Sequence, residues 1–385
     1  MCPSEAAGAD SPAAARAGAI LTIDLGAIKA NYGRLCQELN GTACAAVVKA
    51  DGYGLGAAHV ARALWAAGAR SFFVAQLGEA VEVRDALMEV YGAEGRDKAE
   101  IYVLNGMAAG PAAEFQAQRV VPVLNSLGEI DAWREAAETA GRALPAAVHI
   151  DTGMSRLGLP QEELETLAED HGRLGGIELR YVMSHLACAD EPGHPLNARQ
   201  LAEFQAARAR LPAAPACFAN SSGIFLGADY HFDLGRPGVA LYGVNPTPER
   251  PNPMTQVVRL QGRILQVREI DAPRTVGYGA THSAAGPVRI ATVAVGYADG
   301  YLRSLSNRGS AWIGGQQVQL VGRVSMDLIT LDVTAVSREA ASPGSFVDLI
   351  GPQLTVDDVA QAAGTIGYEI LTSLGPRYHR VYTGA

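Results

Sequence analysis

The chain has 385 residues, 48% of them hydrophobic, and a formal net charge of −9. This length exceeds one ordinary domain and allows an ample core, so two domains are expected. The acidic balance excludes the basic footprint of a nucleic-acid binder, and no apolar run is long enough to span a bilayer.

Residues 1–18 are rich in alanine, with Ser4, Asp10 and Pro12 among them. They lack the continuous apolar stretch of a signal peptide and predict a disordered tail. Residues 19–250 predict the first domain. Short apolar runs read as strands at Ala43–Val48, Ser71–Ala75, Ile101–Leu104, Val120–Leu124, Ala146–Ile150, Leu179–Ser184, Ala216–Ala219 and His231–Arg236. Segments of helical period separate most of them, such as Glu129–Ala140 and Pro195–Arg210. Repeated strand–helix alternation implies an α/β fold with a parallel sheet. Eight strands over about 200 residues fit a closed (β/α)8 barrel of the TIM type. A doubly wound open sheet is the rival reading.

The texture changes at 245–253, where four prolines fall in nine residues and predict a stiff linker. Residues 251–385 read as a C-terminal, mainly β domain, with strands at Val257–Val267, Val288–Val295, Ser310–Ile313, Val318–Val321, Leu328–Val333 and Ser345–Ile350. One short helix, Val356–Ala363, follows an N-cap at Thr355 and precedes a last strand. The segment Ile20–Asp24 stands before the first barrel helix and is able to pair with the β domain instead. The five cysteines, Cys2, Cys36, Cys44, Cys188 and Cys217, are odd in number and lack metal-like spacing. Reduced thiols in a cytoplasmic protein are the simplest account, and no structural metal is suggested.

Chemistry-bearing residues gather at the ends of the barrel strands, where such folds place their active sites. Lys49 ends strand 1, inside Val-Val-Lys-Ala-Asp-Gly-Tyr-Gly-Leu-Gly (Val47 to Gly56). A lysine desolvated there loses its proton more easily and can form a Schiff base; a snorkelling surface lysine is the bland alternative. Asp151-Thr152-Gly153-Met154-Ser155-Arg156 follows strand 5, His185 ends strand 6, Asn220-Ser221-Ser222 ends strand 7 and Arg236-Pro237-Gly238-Val239 ends strand 8. Taken singly, each has an ordinary reading: a structural histidine, a turn glycine, a surface arginine.

Together these stretches resemble the alanine racemase family, enzymes that carry pyridoxal phosphate (PLP). The resemblance runs from about Ile20 to Arg380. It implies the barrel rather than the open sheet, Lys49 as the Schiff-base residue and first catalytic base, and Tyr53, Asn220, Ser221, Gly238 and Val239 as cofactor contacts. It sets Arg236 against the pyridine nitrogen. An arginine keeps its proton, so that nitrogen stays unprotonated, a weaker electron sink that favours reprotonation at Cα over transamination. His185 resembles the partner that orients the second base, and Arg156 the residue that supports the substrate carboxylate.

Racemisation takes a proton from one face of Cα and returns one on the other, so two groups on opposite sides are expected. Val276-Gly277-Tyr278-Gly279-Ala280-Thr281 resembles the family's tyrosine motif and makes Tyr278 the second base, contributed by the partner subunit of a homodimer. A phenol needs cationic neighbours to act as a base, a task the resemblance gives to Arg156 and His185. By the same resemblance Met326 and Asp327 bind substrate and Tyr297 stands at the substrate entrance. Three positions depart from the family pattern. His149 replaces a lysine that some members carry as a carbamate, Ser325 replaces a common cysteine, and Leu371-Thr372-Ser373-Leu374-Gly375-Pro376-Arg377 lacks a phosphate-contacting tyrosine.

The expected function is interconversion of L- and D-alanine in the cytoplasm, supplying D-alanine for peptidoglycan. A racemase for another small amino acid such as serine is the nearest alternative. A PLP-binding barrel without turnover would lack the β domain. A decarboxylase of this fold would set a carboxylate where Arg236 stands.

Overall fold

The computed structural model describes residues 12–271 and 273–384. The chain forms two compact units. One comprises residues 28–241 and 245–255; the other is built from the segments before residue 28 and after residue 255, with 242–244.

The first unit is the barrel. Its strands are Ala43–Cys44 with Ala46–Val47, then Ser71–Val74, Glu100–Val103, Val121–Leu124, Leu144–His149, Ile177–Met183, Ala216–Cys217 and Leu234–Gly235. All neighbours are parallel. The first strand is divided at Ala45: Ala43–Cys44 pairs with Leu234–Gly235, and Ala46–Val47 pairs with Ser71–Val74. That division closes the ring and rules out the open sheet. Val47 N–H donates to Pro237 O at 3.0 Å, and Val48 N–H to Phe73 O at 2.9 Å. Each of the eight sequence-predicted strands overlaps an observed one, because strands buried on both faces read as plain apolar runs.

The barrel helices are tied to the loops by acidic side chains. Glu79, Glu129 and Glu163 each occupy the third position of the helix after the second, fourth and fifth strand. Each reaches back to the loop of the preceding strand, accepting from Ala50 N–H at 2.6 Å, Met107 N–H at 2.9 Å and Leu127 N–H at 2.9 Å. A carboxylate at a helix N-terminus is stabilised by the helix dipole, and a bond to a loop amide adds a charge-assisted contact.

The flanks of the proline-rich 245–253 segment are tied together by a buried side chain. Asn31 Nδ2 donates to Leu241 O at 3.2 Å and Thr255 O at 2.8 Å, and its Oδ1 accepts from Thr255 N–H at 2.7 Å.

The second unit is mainly β, as expected. Its long strand Val258–Ile270 pairs antiparallel with Ala19–Asp24, Val288–Val293 and Phe346–Ile350. Ala19–Asp24 also runs parallel to the last strand, His379–Thr383. The domain boundary expected at residue 19 is therefore corrected, since this strand belongs to the β sheet. Thr355 caps the helix Val356–Ala363, reciprocally with Asp358. A second helix, Gly367–Ser373, and a hairpin of Arg274–Val276 with His282–Ala284 were not foreseen.

The tail expected to be disordered over 1–18 needs a correction where it is described. Pro12–Arg16 is helical, and Ala14 is buried with Ile20 and Val381. Its last carbonyls are satisfied by Arg263, whose guanidinium donates to Ala14 O at 3.1 Å and Ala17 O at 3.0 Å. Such a helix is made by tertiary contact, so its composition gave no sign of it. Residues 1–11 lie outside the described residues.

Asn31→Ala would leave the buried Leu241 carbonyl, and the part-buried N–H and carbonyl of Thr255, without this partner. The expected cost is about 2–4 kcal/mol of barrel stability, read by urea unfolding against the wild type. A loss under about 0.5 kcal/mol would contradict this role for Asn31.

Candidate active site

After Val48 the backbone turns left-handed. Ala50, Asp51, Gly52 and Tyr53 have φ of +53°, +52°, +61° and +57°, with ψ between +38° and +51°. For L-residues this conformation crowds Cβ against the carbonyl, at roughly 1–2 kcal/mol for each of Ala50, Asp51 and Tyr53. The turn persists because it is braced. Gly52 N–H donates to Val48 O at 2.9 Å, Gly56 N–H to Asp51 O at 2.8 Å, Ala57 N–H to Asp51 Oδ1 at 2.7 Å, and Ala50 N–H to Glu79. Strain held in this way clusters at functional sites. It brings Lys49, half-buried, and Tyr53, buried, into one turn at the end of the first strand.

Lys49 stands among cations. Burial is the largest cause lowering its pKa, followed by the charges of Arg156 and Arg236; Glu79 opposes them. A neutral amine is nucleophilic and basic where an ammonium is not, so this environment favours reactivity at Lys49. His185 is pushed well below the usual histidine range by burial, then by Arg236, Arg156, His149 and Lys49. His149 is lowered to about 4, first by burial and then by Arg236. Both imidazoles are therefore neutral at physiological pH.

Arg236 is almost wholly buried. It donates to Ser184 O at 2.6 Å and through Nε to Cys217 Sγ at 2.9 Å, and it lies 5.7 Å from the Phe73 ring centroid. These partners orient the guanidinium without neutralising it. At the same end of the barrel Ser221 Oγ accepts from Gly238 N–H at 2.9 Å and Ala240 N–H at 3.3 Å. A Cβ built on Gly238 would overlap the Tyr53 hydroxyl. Glycine is thus required where the backbone meets that phenol. Val239 opens the short turn Val239–Tyr242. Asn220 Oδ1 accepts from Gly223 N–H at 2.8 Å, closing its own loop.

Arg156 is exposed, on a loop shaped by Asp151, whose Oδ1 accepts from Gly153, Met154 and Ser155 N–H. Behind it, buried Gln200 donates to His185 O at 2.9 Å and accepts from Ala187 N–H at 2.9 Å. Sequence reasoning missed Gln200, Glu79 and Asn125, since polar residues in helices and loops carry no pattern that marks a contact with another loop. Asn125 donates both amide hydrogens, to Val123 O at 2.8 Å and Leu104 O at 3.1 Å. Its Oδ1 is therefore the acceptor that faces His149 Nδ1 at 2.8 Å. The His149 proton sits on Nδ1, and Nε2 keeps its lone pair.

In the β unit, Tyr278 lies in the turn of the unforeseen hairpin, between Gly277 at φ +75° and Gly279 at φ +70°. It is 73% exposed, Met326 54% and Tyr297 42%, an unusual concentration of uncovered large side chains. Tyr297 N–H donates to Ser325 O at 3.0 Å and Ala298 N–H to Met326 O at 2.9 Å, which fastens two predicted motifs side by side. Asp327 Oδ1 pairs with Arg377 at 2.8 Å, and Arg377 also meets Asp299 at 3.1 Å. The structure thus brings the barrel residues together at one end of the barrel and the β-unit residues together in their own unit.

Two family profiles match the chain: "Alanine racemase, N-terminal domain" over residues 23–246 and "Alanine racemase, C-terminal domain" over 257–382. The chain belongs to the alanine racemase family. Among relatives, it is 54% identical over 370 residues to a catabolic alanine racemase of Mesorhizobium japonicum, covering 96% of this chain and 94% of that one. It is 53% identical to an alanine racemase of Rhodospirillum rubrum, covering 96% and 97%. The crystal structure of alanine racemase from Bartonella henselae with covalently bound pyridoxal phosphate superposes with a TM-score of 0.89 at 43% identity, covering 95% of this chain and 99% of that one. Alanine racemase from Streptomyces coelicolor gives 0.88 at 35% identity, covering 97% and 100%. Among the described residues, no helix is long and apolar enough to cross a membrane.

The neutral His149 makes this alanine racemase family member acid-sensitive. Its folded pKa of about 4 lies below the unfolded value near 6.5. The unfolded chain therefore takes up the proton first, and stability, complete above pH 6.5, falls as pH drops toward 4. His149→Gln should flatten this decline by at most about 3 kcal/mol, read as the difference in urea unfolding between about pH 7 and about pH 4.5. Identical declines in the two proteins would refute the assignment.

Proposed function

We propose that this chain racemises alanine with PLP carried on Lys49. The observation that carries the reading is the half-buried Lys49 amine at the end of the first strand, in the field of Arg156 and Arg236, groups that favour its neutral form. The residues present fit the cofactor. Ser221 Oγ and the amides of Gly238 and Ala240 converge beside the Tyr53 phenol, a set of hydroxyl and amide donors of the kind that binds a phosphate. Arg236, cationic and without a carboxylate partner among the described residues, suits the pyridine nitrogen. When bound, PLP supplies the carbonyl for covalent attachment and an electron-poor ring that draws charge from the substrate Cα.

The chain's own residues then divide the work. Arg156 binds the substrate carboxylate. Lys49 moves the proton on one face of Cα. Tyr278 of the partner subunit moves it on the other, oriented by neutral His185. The partner subunit's Met326 and Asp327 line the substrate, and the partner subunit's Tyr297 stands at the entrance. The exposure of Tyr278, Met326 and Tyr297 in the single chain supports a homodimer with shared sites. The described cysteines are free thiols, which supports a cytoplasmic location. The D-alanine formed feeds peptidoglycan synthesis; a deletion strain that grows without D-alanine would contradict that role.

The first test is D-alanine formation from L-alanine by purified protein with PLP, read on a chiral column. A near-equal mixture is expected, and no D-alanine would overturn the reading. Lys49→Ala should lose turnover and covalent cofactor together; retained turnover would remove Lys49 from its role. Tyr278→Phe should slow α-proton exchange from L-alanine more than from D-alanine, and equal slowing would count against that facial assignment. If sites are shared, mixing the inactive Lys49→Ala and Tyr278→Phe proteins should restore about a quarter of wild-type activity, because half the dimers then hold one intact site.

A further inference from the structure

The Glu79 carboxylate does more than cap its helix. One oxygen suffices for the cap: Oε2 accepts from Ala75 N–H at 2.7 Å and Gln76 N–H at 3.0 Å, the backbone side of a capping box. The other oxygen leaves that loop. Oε1 accepts from Ala50 N–H at 2.6 Å, the first residue of the left-handed turn and the chain neighbour of Lys49. An amide in the first turn of a helix has no partner inside that helix. Glu79 supplies it from a different strand's loop, with a charge-assisted bond.

We propose that Glu79 is the positioning residue of Lys49: its bridging carboxylate fixes the left-handed turn, and through it the Lys49 amine, relative to the loop after the second barrel strand. The proposal rests on the reading of Lys49 as the cofactor-bearing lysine. Charge reinforces position. Of the groups acting on the amine, Arg156 and Arg236 are cations and Glu79 is the one anion. His185, neutral, also faces it. Glu129 bridges alike, its Oε2 accepting from Asn125 N–H and its Oε1 from Met107 N–H, whereas Glu163 reaches Leu127 N–H through Oε2; both serve other loops. A purely structural tie between loops would make turnover as sensitive to Glu163 as to Glu79.

The test uses PLP-loaded enzyme. Glu79→Gln keeps the shape but has one acceptor oxygen, so its amide must face either Ala50 N–H or the Ala75 and Gln76 pair, donor against donor. It should lower kcat about tenfold or more with KM for alanine within about threefold. It should also move the pH midpoint of the loaded enzyme's visible absorbance downward, because an anion near the amine is gone. Glu79→Asp keeps the charge and loses the reach, so kcat should fall while the midpoint stays. Glu163→Gln should match the wild type in both. Wild-type kcat and midpoint in Glu79→Gln overturn the proposal, as do equal losses in Glu163→Gln. Should Glu79→Gln fail to fold, wild-type kcat in Glu79→Asp overturns it. Borohydride reduction and peptide mass separate the two readings. Cofactor mass absent from the wild-type Lys49 peptide removes the Lys49 assignment and this proposal with it. Mass on Lys49 with unchanged Glu79 variants removes the positioning role alone.

Discussion

The site depends on a concentration of positive charge at the C-terminal ends of the barrel strands. Lys49, Arg156 and Arg236 act on one another and on two histidines within a half-buried space, inside a chain whose net charge is −9. Like charges in such surroundings cannot all be retained. The arginines keep theirs, because a guanidinium does not give up its proton in proteins. The others yield: His149 and His185 are neutral, and the Lys49 amine is displaced toward its neutral form. The field that makes the lysine reactive also attracts anions. Anionic groups are therefore the ones this end of the barrel favours electrically.

That field needs a scaffold that does not relax. Most of the polar atoms around it are spent on backbone. Gln200, Asn125, Asp151 and Ser221 bind backbone amides and carbonyls; Asp151 and Ser221 hold the loops of Arg156 and Arg236, Gln200 holds that of His185, and Asn125 faces His149. The left-handed turn after Val48 is the costliest of these loops, and its braces come from three directions: Val48 behind it, Asp51 within it and Glu79 on the helix after the neighbouring strand. Preorganisation in this sense is a property of hydrogen bonds between loops, more than of the residues that meet the ligand.

Much of the fold was legible in the sequence, and the reasons differ by element. Barrel strands such as Ser71–Val74 and Val121–Leu124 are buried on both faces, so an apolar run marks them directly. The helix Val356–Ala363 announced itself through its Thr355 cap. What escaped was made by distant partners. The hairpin around Tyr278 is short and its strands are only three residues each, below the length at which alternation is readable. The helix Pro12–Arg16 depends on Arg263, far along the chain. At the site, the motifs showed which residue types gather, since Lys49, Arg236 and Gly238 stand at strand ends. They did not show that Ala50 and Asp51 adopt positive φ, because only Gly52 among the first three turn residues advertises that conformation. Nor could Asn125 be seen behind His149, as no local rule links a loop asparagine to a histidine on the next strand.

The pairing of Ala19–Asp24 with His379–Thr383 has a consequence for how the molecule comes into being. In connectivity the barrel is an insertion: the chain begins the β sheet, leaves it for more than two hundred residues, and returns to finish it. During synthesis the first strand emerges with neither neighbour yet made. At about 5–20 residues per second it waits roughly 20–70 s for its last partner. The barrel, whose strands all lie within that interval, can close meanwhile. Assembly therefore has a built-in order, with the barrel first and the sheet last.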